Sequence, residues 1–244
     1  MGRFVVLGMI AALGGLSWLP GRRGGGSRGA GEVVSESRPV SGFDRVHVKG
    51  AGALLISQGD AEGLTIEAEE NILPLIISEI RDGELTIGFE RDGPKPARTT
   101  GPITYSLSAK ELRAIRRSGA GDTRAARLAA ARLAIAVDGA GNVTVDDLGA
   151  DDLRVEIAGA GSCDLAGEVA RQEVAINGAG EYRAEGLASG DARIEISGAG
   201  RATVRVSDHL AVKIAGAGSV GYIGDPQVQR TIAGAGFVRR LSAV

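Results

Sequence analysis

Aromatic residues make up only 3% of this 244-residue chain. Phe, Tyr and Trp normally supply much of the buried area of a globular core. Their scarcity excludes a thick core and points to a thin one filled by Val, Ile, Leu and Ala, as in a narrow coil two side chains across. Cysteine occurs once, at Cys163, which excludes an intrachain disulfide framework. The expected role is a small buried apolar residue, with a reactive thiol as the alternative. The two histidines, His47 and His209, lie far apart, and neither has metal-ligand spacing to Cys or acidic residues. Both read as solvated, His47 on the outward phase between Val46 and Val48. Charge of one sign is also missing. The net value is −2, so no global field favours nucleic acid or acidic lipid.

Catalytic signatures are missing too. There is no Gly-x-Ser-x-Gly elbow, phosphate loop or dinucleotide fingerprint. The many Gly-x-Gly triplets both follow and precede strand-like runs, so no helix N-terminus is at hand to hold a phosphate. The sequence therefore assigns no catalytic, cofactor-binding or metal-binding residue, expects no cofactor, and names no nucleic-acid partner.

Glycine is abundant, at 39 residues, and its placement organises the chain. Gly-Ala-Gly stands at 50–52, 119–121, 139–141, 159–161, 178–180, 198–200, 216–218 and 234–236. From the second copy onward the spacings are 20, 20, 19, 20, 18 and 18. Alternating apolar residues lead into each copy: Leu133, Ile135 and Val137, then Leu153, Val155 and Ile157, and later Leu210, Val212 and Ile214. Period two with one apolar face is a half-buried strand. A second short strand follows the triplet in most coils, as at Val143 and Val145 or Cys163 and Leu165. Each unit reads as strand, Gly-Ala-Gly, strand, turn. One unit cannot bury its own apolar face, but stacking units in register buries them all. The expected fold class is all-β: a parallel β-helix or β-solenoid with coils of 18–20 residues.

Three segments need separate reading. Residues 124–136 are helix-prone by composition, yet they align without gaps on the next unit. Leu128 falls on Leu148, and Leu133, Ile135 and Val137 fall on Leu153, Val155 and Ile157. The repeat makes them a coil, with a short helix on its outer edge as the alternative. In the last unit Arg230 takes the core-facing position of Val155 and Ile194, and Pro226 precedes it, as suits a capping coil. Asp146, Asp147, Asp151 and Asp152 form the best acidic cluster. It reads as a solvated turn, with a Ca²⁺ site as the alternative. Outward residues Arg154, Glu156, Glu173, Arg193, Glu195 and Lys213 alternate in sign between coils, which reads as cross-coil pairing rather than a catalytic cleft.

Residues 1–20 read as a signal peptide or anchor: Arg3, then an apolar run from Phe4 to Leu19, then Pro20. A run of this length suits a signal peptide, while Arg22 and Arg23 beyond it leave an uncleaved anchor or a later start codon open. No cysteine follows to be lipidated. Residues 21–37 are expected to be a flexible linker, 38–117 a less regular N-terminal β part, and 118–244 the repeat solenoid. Within the N-terminal part, Asn71–Ile80 fits a short helix, because Ile72, Leu75, Ile76 and Ile80 share a face. A Pro-rich loop at residues 92–102 follows.

The run Arg38-Pro-Val-Ser-Gly-Phe-Asp-Arg-Val46, the strand Gly63-Leu-Thr-Ile-Glu67, the Asn71 segment, Asp82-Gly-Glu-Leu-Thr-Ile87 and the chain of Gly-x-Gly coils resemble the auto-transporter adhesin head GIN domain family. The resemblance covers residues 38–241. It implies a right-handed parallel β-helix, export to the periplasm, outer-membrane surface or medium, and a role in adhesion. This chain departs from the family in its strict Gly-Ala-Gly, which removes polar side chains that a ligand column could use. The function expected first is a non-enzymatic envelope or surface module that binds a protein or glycan. Membrane contact would come only through an uncleaved N-terminal segment. The alternatives are an envelope assembly protein that forms homo-oligomers, and a carbohydrate-active β-helix enzyme.

Overall fold

A computed structural model describes residues 31–89 and 101–242. The signal or anchor segment and most of the Pro-rich loop lie outside the described residues. The fold is an all-β solenoid of about 6 turns. Its repeat coils are β9 (Asp122–Gly139), β10 (Asn142–Gly159), β11 (Ser162–Gly178), β12 (Glu181–Gly198) and β13 (Arg201–Gly216), each parallel to the next. The expected strand–turn–strand units are more continuous than the sequence suggested. Each strand runs unbroken from one triplet to the first glycine of the next. The corner is a bend inside the strand, because parallel stacking pairs the backbone through it. Irregular register at Val145–Leu148, Asp164–Ala166 and Ala184–Ala188 absorbs the differences in coil length.

The triplet is explained by close approach. Gly159 has φ +119, and a Cβ there would lie 2.5 Å from the Gly139 carbonyl oxygen of the coil before. At Gly180 a Cβ would lie 2.4 Å from Ile157 Cγ2. The first glycine therefore admits a neighbouring carbonyl and the third admits a neighbouring isoleucine methyl. The middle alanine faces solvent and contributes its N–H: Ala160 donates to Gly139 O at 2.9 Å.

The helix-prone segment 124–136 lies within β9, with Leu128, Leu133, Ile135 and Val137 opposite Leu148, Leu153, Val155 and Ile157. Their burial outweighs alanine's helix preference. Cys163 is fully buried in the column of Val143 and Tyr182, as expected of an apolar residue, and burial pushes its thiol pKa up.

The N-terminal part completes the solenoid less regularly. β2 (Arg45–Lys49), β3 (Ala53–Gln58), β6 (Glu84–Phe89), β7 (Thr104–Ala109) and β8 (Ala114–Gly119) supply parallel strands. β1 (Val33–Arg38), β4 (Gly63–Glu69) and β5 (Ile76–Arg81) add antiparallel ones. β1 lies inside the stretch read as linker, which corrects that boundary. The expected helix at Asn71–Ile80 is also corrected: only Leu73–Leu75 turns, as a 3₁₀ segment, and Ile76 onward is strand. Pro74 lacks an N–H and disfavours helix in the residue before it, while Ile76, Ile77 and Ile80 are β-branched.

β14 (Ser219–Ile223), β15 (Gln227–Gly234) and β16 (Phe237–Arg240) finish the chain. Arg230 lies opposite Val212 in the core-facing column, as the repeat required, and among the described residues β15 pairs with β13 alone. Two faces meet at the Gly-Ala-Gly corner. One runs β5-β6-β2-β8 and on through the coils to β15, and the other runs β1-β4-β7-β3 and on to β16.

Candidate functional site: a charge-laddered groove

Seven residues before each triplet, outward side chains form one column across the coils: Arg132, Asp152, Arg171, Asp191 and His209. Strands of a sheet lie about 4.8 Å apart, so charge alternates at that interval. Arg171 Nε donates to Asp152 Oδ1 at 2.7 Å, and His209 Nδ1 lies 2.9 Å from Asp191 Oδ1. The Arg171 hydrogen bond holds Asp152 below the usual carboxylate pKa, and Asp152 raises that of Arg171. Two residues along, Arg154, Glu173 and Arg193 make a parallel column, with Arg154 and Glu173 3.6 Å apart. The two columns border an open groove of about 880 Å³ lined by no Phe, Tyr or Trp among the described residues.

The sequence placed Arg154, Glu173 and Arg193 correctly on this face. Cross-coil pairing joins Arg154 to Glu173, whereas Arg193 turns to Glu195 of its own strand at 2.6 Å. Glu156, Glu195 and Lys213 fall in a further column two residues closer to the triplet. The acidic cluster divides at the coil corner: Asp147 faces Arg127 at 3.5 Å, while Asp152 belongs to the ladder. Among the described residues no three His, Cys, Asp or Glu side chains converge to hold a metal ion.

His47 is not solvated, which corrects its reading. Its strand β2 lies between β6 and β8, whose side chains cover it. His47 Nε2 lies 2.8 Å from Ser118 Oγ, and Nδ1 lies 3.9 Å from Glu84 Oε1. Ser118 Oγ donates to Asp138 Oδ2 at 3.3 Å. With the hydroxyl's single proton directed to Asp138, Nε2 donates to Ser118. A nucleophile triad needs the opposite polarity, with the imidazole accepting the serine proton. Burial, then Lys49 and Arg116, lower the His47 pKa.

Two buried polar groups escaped the sequence reading. Arg117 is fully buried in the core column between Val48 and Val137. Its Nη2 donates to the carbonyls of Gly52 and Ala120, the latter at 2.7 Å, where the N-terminal coil stacks on the first repeat. Arg117 Nε and Nη1, Tyr105 Oη and Thr123 Oγ1 have no hydrogen-bond partner among the described residues. Burial lowers the Arg117 pKa and pushes that of Tyr105 up to about 12. The second group is Gln172, which accepts from Tyr182 Oη at 2.9 Å and donates to Ser189 Oγ at 2.7 Å inside the solenoid.

This architecture defines a surface-laddered β-solenoid with no helix, among the described residues, long and apolar enough to cross a membrane. The family described as "Putative auto-transporter adhesin, head GIN domain" matches residues 42–226, and the chain belongs to it. Similar solved structures include a "putative adhesin" from Bacteroides fragilis NCTC 9343, 21% identical, with a TM-score of 0.80 over 86% of this chain and 97% of that one. A "putative adhesin" from Parabacteroides merdae ATCC 43184 is 24% identical, with a TM-score of 0.71 over 87% and 98%. A "Putative lipid binding protein" from Parabacteroides distasonis ATCC 8503 is 22% identical, with a TM-score of 0.70 over 86% and 97%. At these identities the likeness is one of fold. No curated protein matches the chain.

Proposed function

We propose that this chain is an exported, non-enzymatic surface module for adhesion, and that the laddered groove is its ligand-contact face. The family supports a surface, adhesin-like role. The observation that carries the site is the alternating column Arg132, Asp152, Arg171, Asp191 and His209 beside Arg154, Glu173 and Arg193. Such a face suits an extended protein segment carrying both signs of charge. Neutral sugars are usually held by stacking on aromatic rings, and the groove offers none.

Peptide and glycan arrays probed with the full chain test this reading. The expected hits are extended peptides of mixed charge, weakened by salt and lost in the double variant Arg154→Glu/Arg193→Glu. Binding unchanged in that variant, or confined to neutral glycans, would overturn the assignment.

A further inference from the structure

Six large apolar side chains are markedly exposed among the described residues: Val33, Leu55, Ile80, Val228, Ile232 and Phe237. All but Leu55 lie on the four strands that close the ends of the solenoid. Val33 is on β1 and Ile80 on β5 at one end, and Val228, Ile232 and Phe237 are on β15 and β16 at the other. Among the described residues each of these strands pairs on one side only. The molecule thus ends, at both poles, in two open strand edges with apolar residues on them. Natural proteins usually blunt such edges.

The poles match. On one face the exposed edges are β15 and β5, and β5 runs antiparallel to the rest of that face. The core-facing residues are Val228, Arg230 and Ile232 on β15, and Ile76, Ser78 and Ile80 on β5. Antiparallel pairing of one copy's β15 with another's β5 sets Val228 against Ile80, Arg230 against Ser78 and Ile232 against Ile76. On the other face the edges are β16 and β1, which run parallel. Here one register sets Phe237 against Val33, Val238 against Val34 and Arg240 against Glu36. Both registers follow from a single slide of the second copy by two residues, about 6–7 Å, away from the Gly-Ala-Gly corner.

We infer that the C-terminal pole docks a second copy of this chain at its N-terminal pole, head to tail, continuing both faces. Because donor and acceptor surfaces differ, the contact is heterologous, and stacking by translation leaves each stack open at both ends. Arg230 limits the association. Opposite Ser78 it meets Arg38, which reaches over from β1 to donate to Leu73 O at 3.0 Å and Ile76 O at 2.6 Å. Glu36, at 2.9 Å from Arg38, is already paired with that first cation. Wild-type stacking is therefore weak, and removing the Arg230 charge strengthens it.

Variants of the full chain with one added cysteine each, Ile80→Cys and Val228→Cys, test the contact. Directly opposed strand residues have Cβ atoms close enough for a disulfide, and buried Cys163 does not compete. Under mild oxidation the mixture is expected to give a covalent heterodimer, and the double variant a ladder of multimers. No cross-link in the mixture, or equal cross-linking of either variant alone, overturns the proposal. In sedimentation, Arg230→Leu is expected to shift the chain toward larger species by several-fold in association constant. Arg240→Glu should reverse that shift, and mixing with Glu36→Arg should restore it. Failure of Arg230→Leu to increase association, or of the charge swap to restore it, removes the proposed registers. Array binding at the groove is read separately and does not depend on stacking.

Discussion

At the scale of single residues, the triplet glycine, a buried arginine and a buried histidine make different demands. The third glycine of a triplet is packed against an isoleucine methyl, so Gly180→Ala forces that methyl or the backbone to move. The expected cost is about 1–3 kcal/mol in denaturant unfolding, whereas Ala160→Ser, at an exposed position, should fall within about 0.5 kcal/mol of wild type. Arg117 carries a charge where Val137, Ile157 and Ile176 are apolar in later coils, and two of its nitrogens lack partners. Arg117→Met should therefore stabilise the fold, by about 1–3 kcal/mol, with relief of a desolvated charge that makes no salt bridge among the described residues outweighing the donor lost to the Gly52 and Ala120 carbonyls. Urea titration measures both. His47 has a lowered pKa in the fold. The unfolded chain then binds its proton more readily, and stability falls as pH drops below about 6.5, levelling off below the folded pKa. Thermal melts between pH 7.5 and 5 should show that slope, and His47→Gln should flatten it.

At the scale of elements, stacking decides conformation. The segment 124–136 has alanines that favour helix, yet its leucines and Ile135 fill columns already set by the next coil. The same principle failed in the other direction at Asn71–Ile80. There a helical spacing was visible, but Pro74 and the β-branched residues after it made a short turn and an edge strand. Buried polar elements are similarly coupled. Tyr182→Phe leaves the Gln172 carbonyl oxygen without its donor. This variant should cost about 1–3 kcal/mol, and a Tyr182→Phe/Gln172→Leu double variant should recover part of that loss in the same unfolding assay.

At the scale of the whole molecule, contacts pass only between neighbouring coils, so the solenoid behaves as a one-dimensional stack. Deleting residues 142–161 joins Gly141 to Ser162 and sets β9 directly against β11. Every column then keeps an inward residue from each remaining coil, since Val143 and Cys163, Leu153 and Gln172, and Val155 and Val174 already occupy equivalent places. The shortened chain is expected to fold, with a β-type circular dichroism spectrum and one cooperative melt. A featureless spectrum would contradict the modular picture. The groove should shorten with it, since the deletion removes Asp152 and Arg154.

The sequence by itself determined the coil, its period and most of its core, because a two-residue alternation locked to a recurrent triplet leaves one way to bury every apolar face. It determined the inward column as far as Arg230, and the outward position of Arg154, Glu173 and Arg193. The ladder from Arg132 to His209 was also present in the sequence, at a fixed seven residues before each triplet, but only stacking of the coils in register makes one outward column of residues so far apart along the chain. Tertiary structure alone decided the rest. His47 is buried because strands far along the chain flank it. Arg117 is tolerated in the core because carbonyls of Gly52 and Ala120 converge on it from two coils. The two poles expose complementary edges because β5 and β1 join the sheet at its far ends from early in the chain. Each of these depends on contacts between distant segments, which no local pattern encodes.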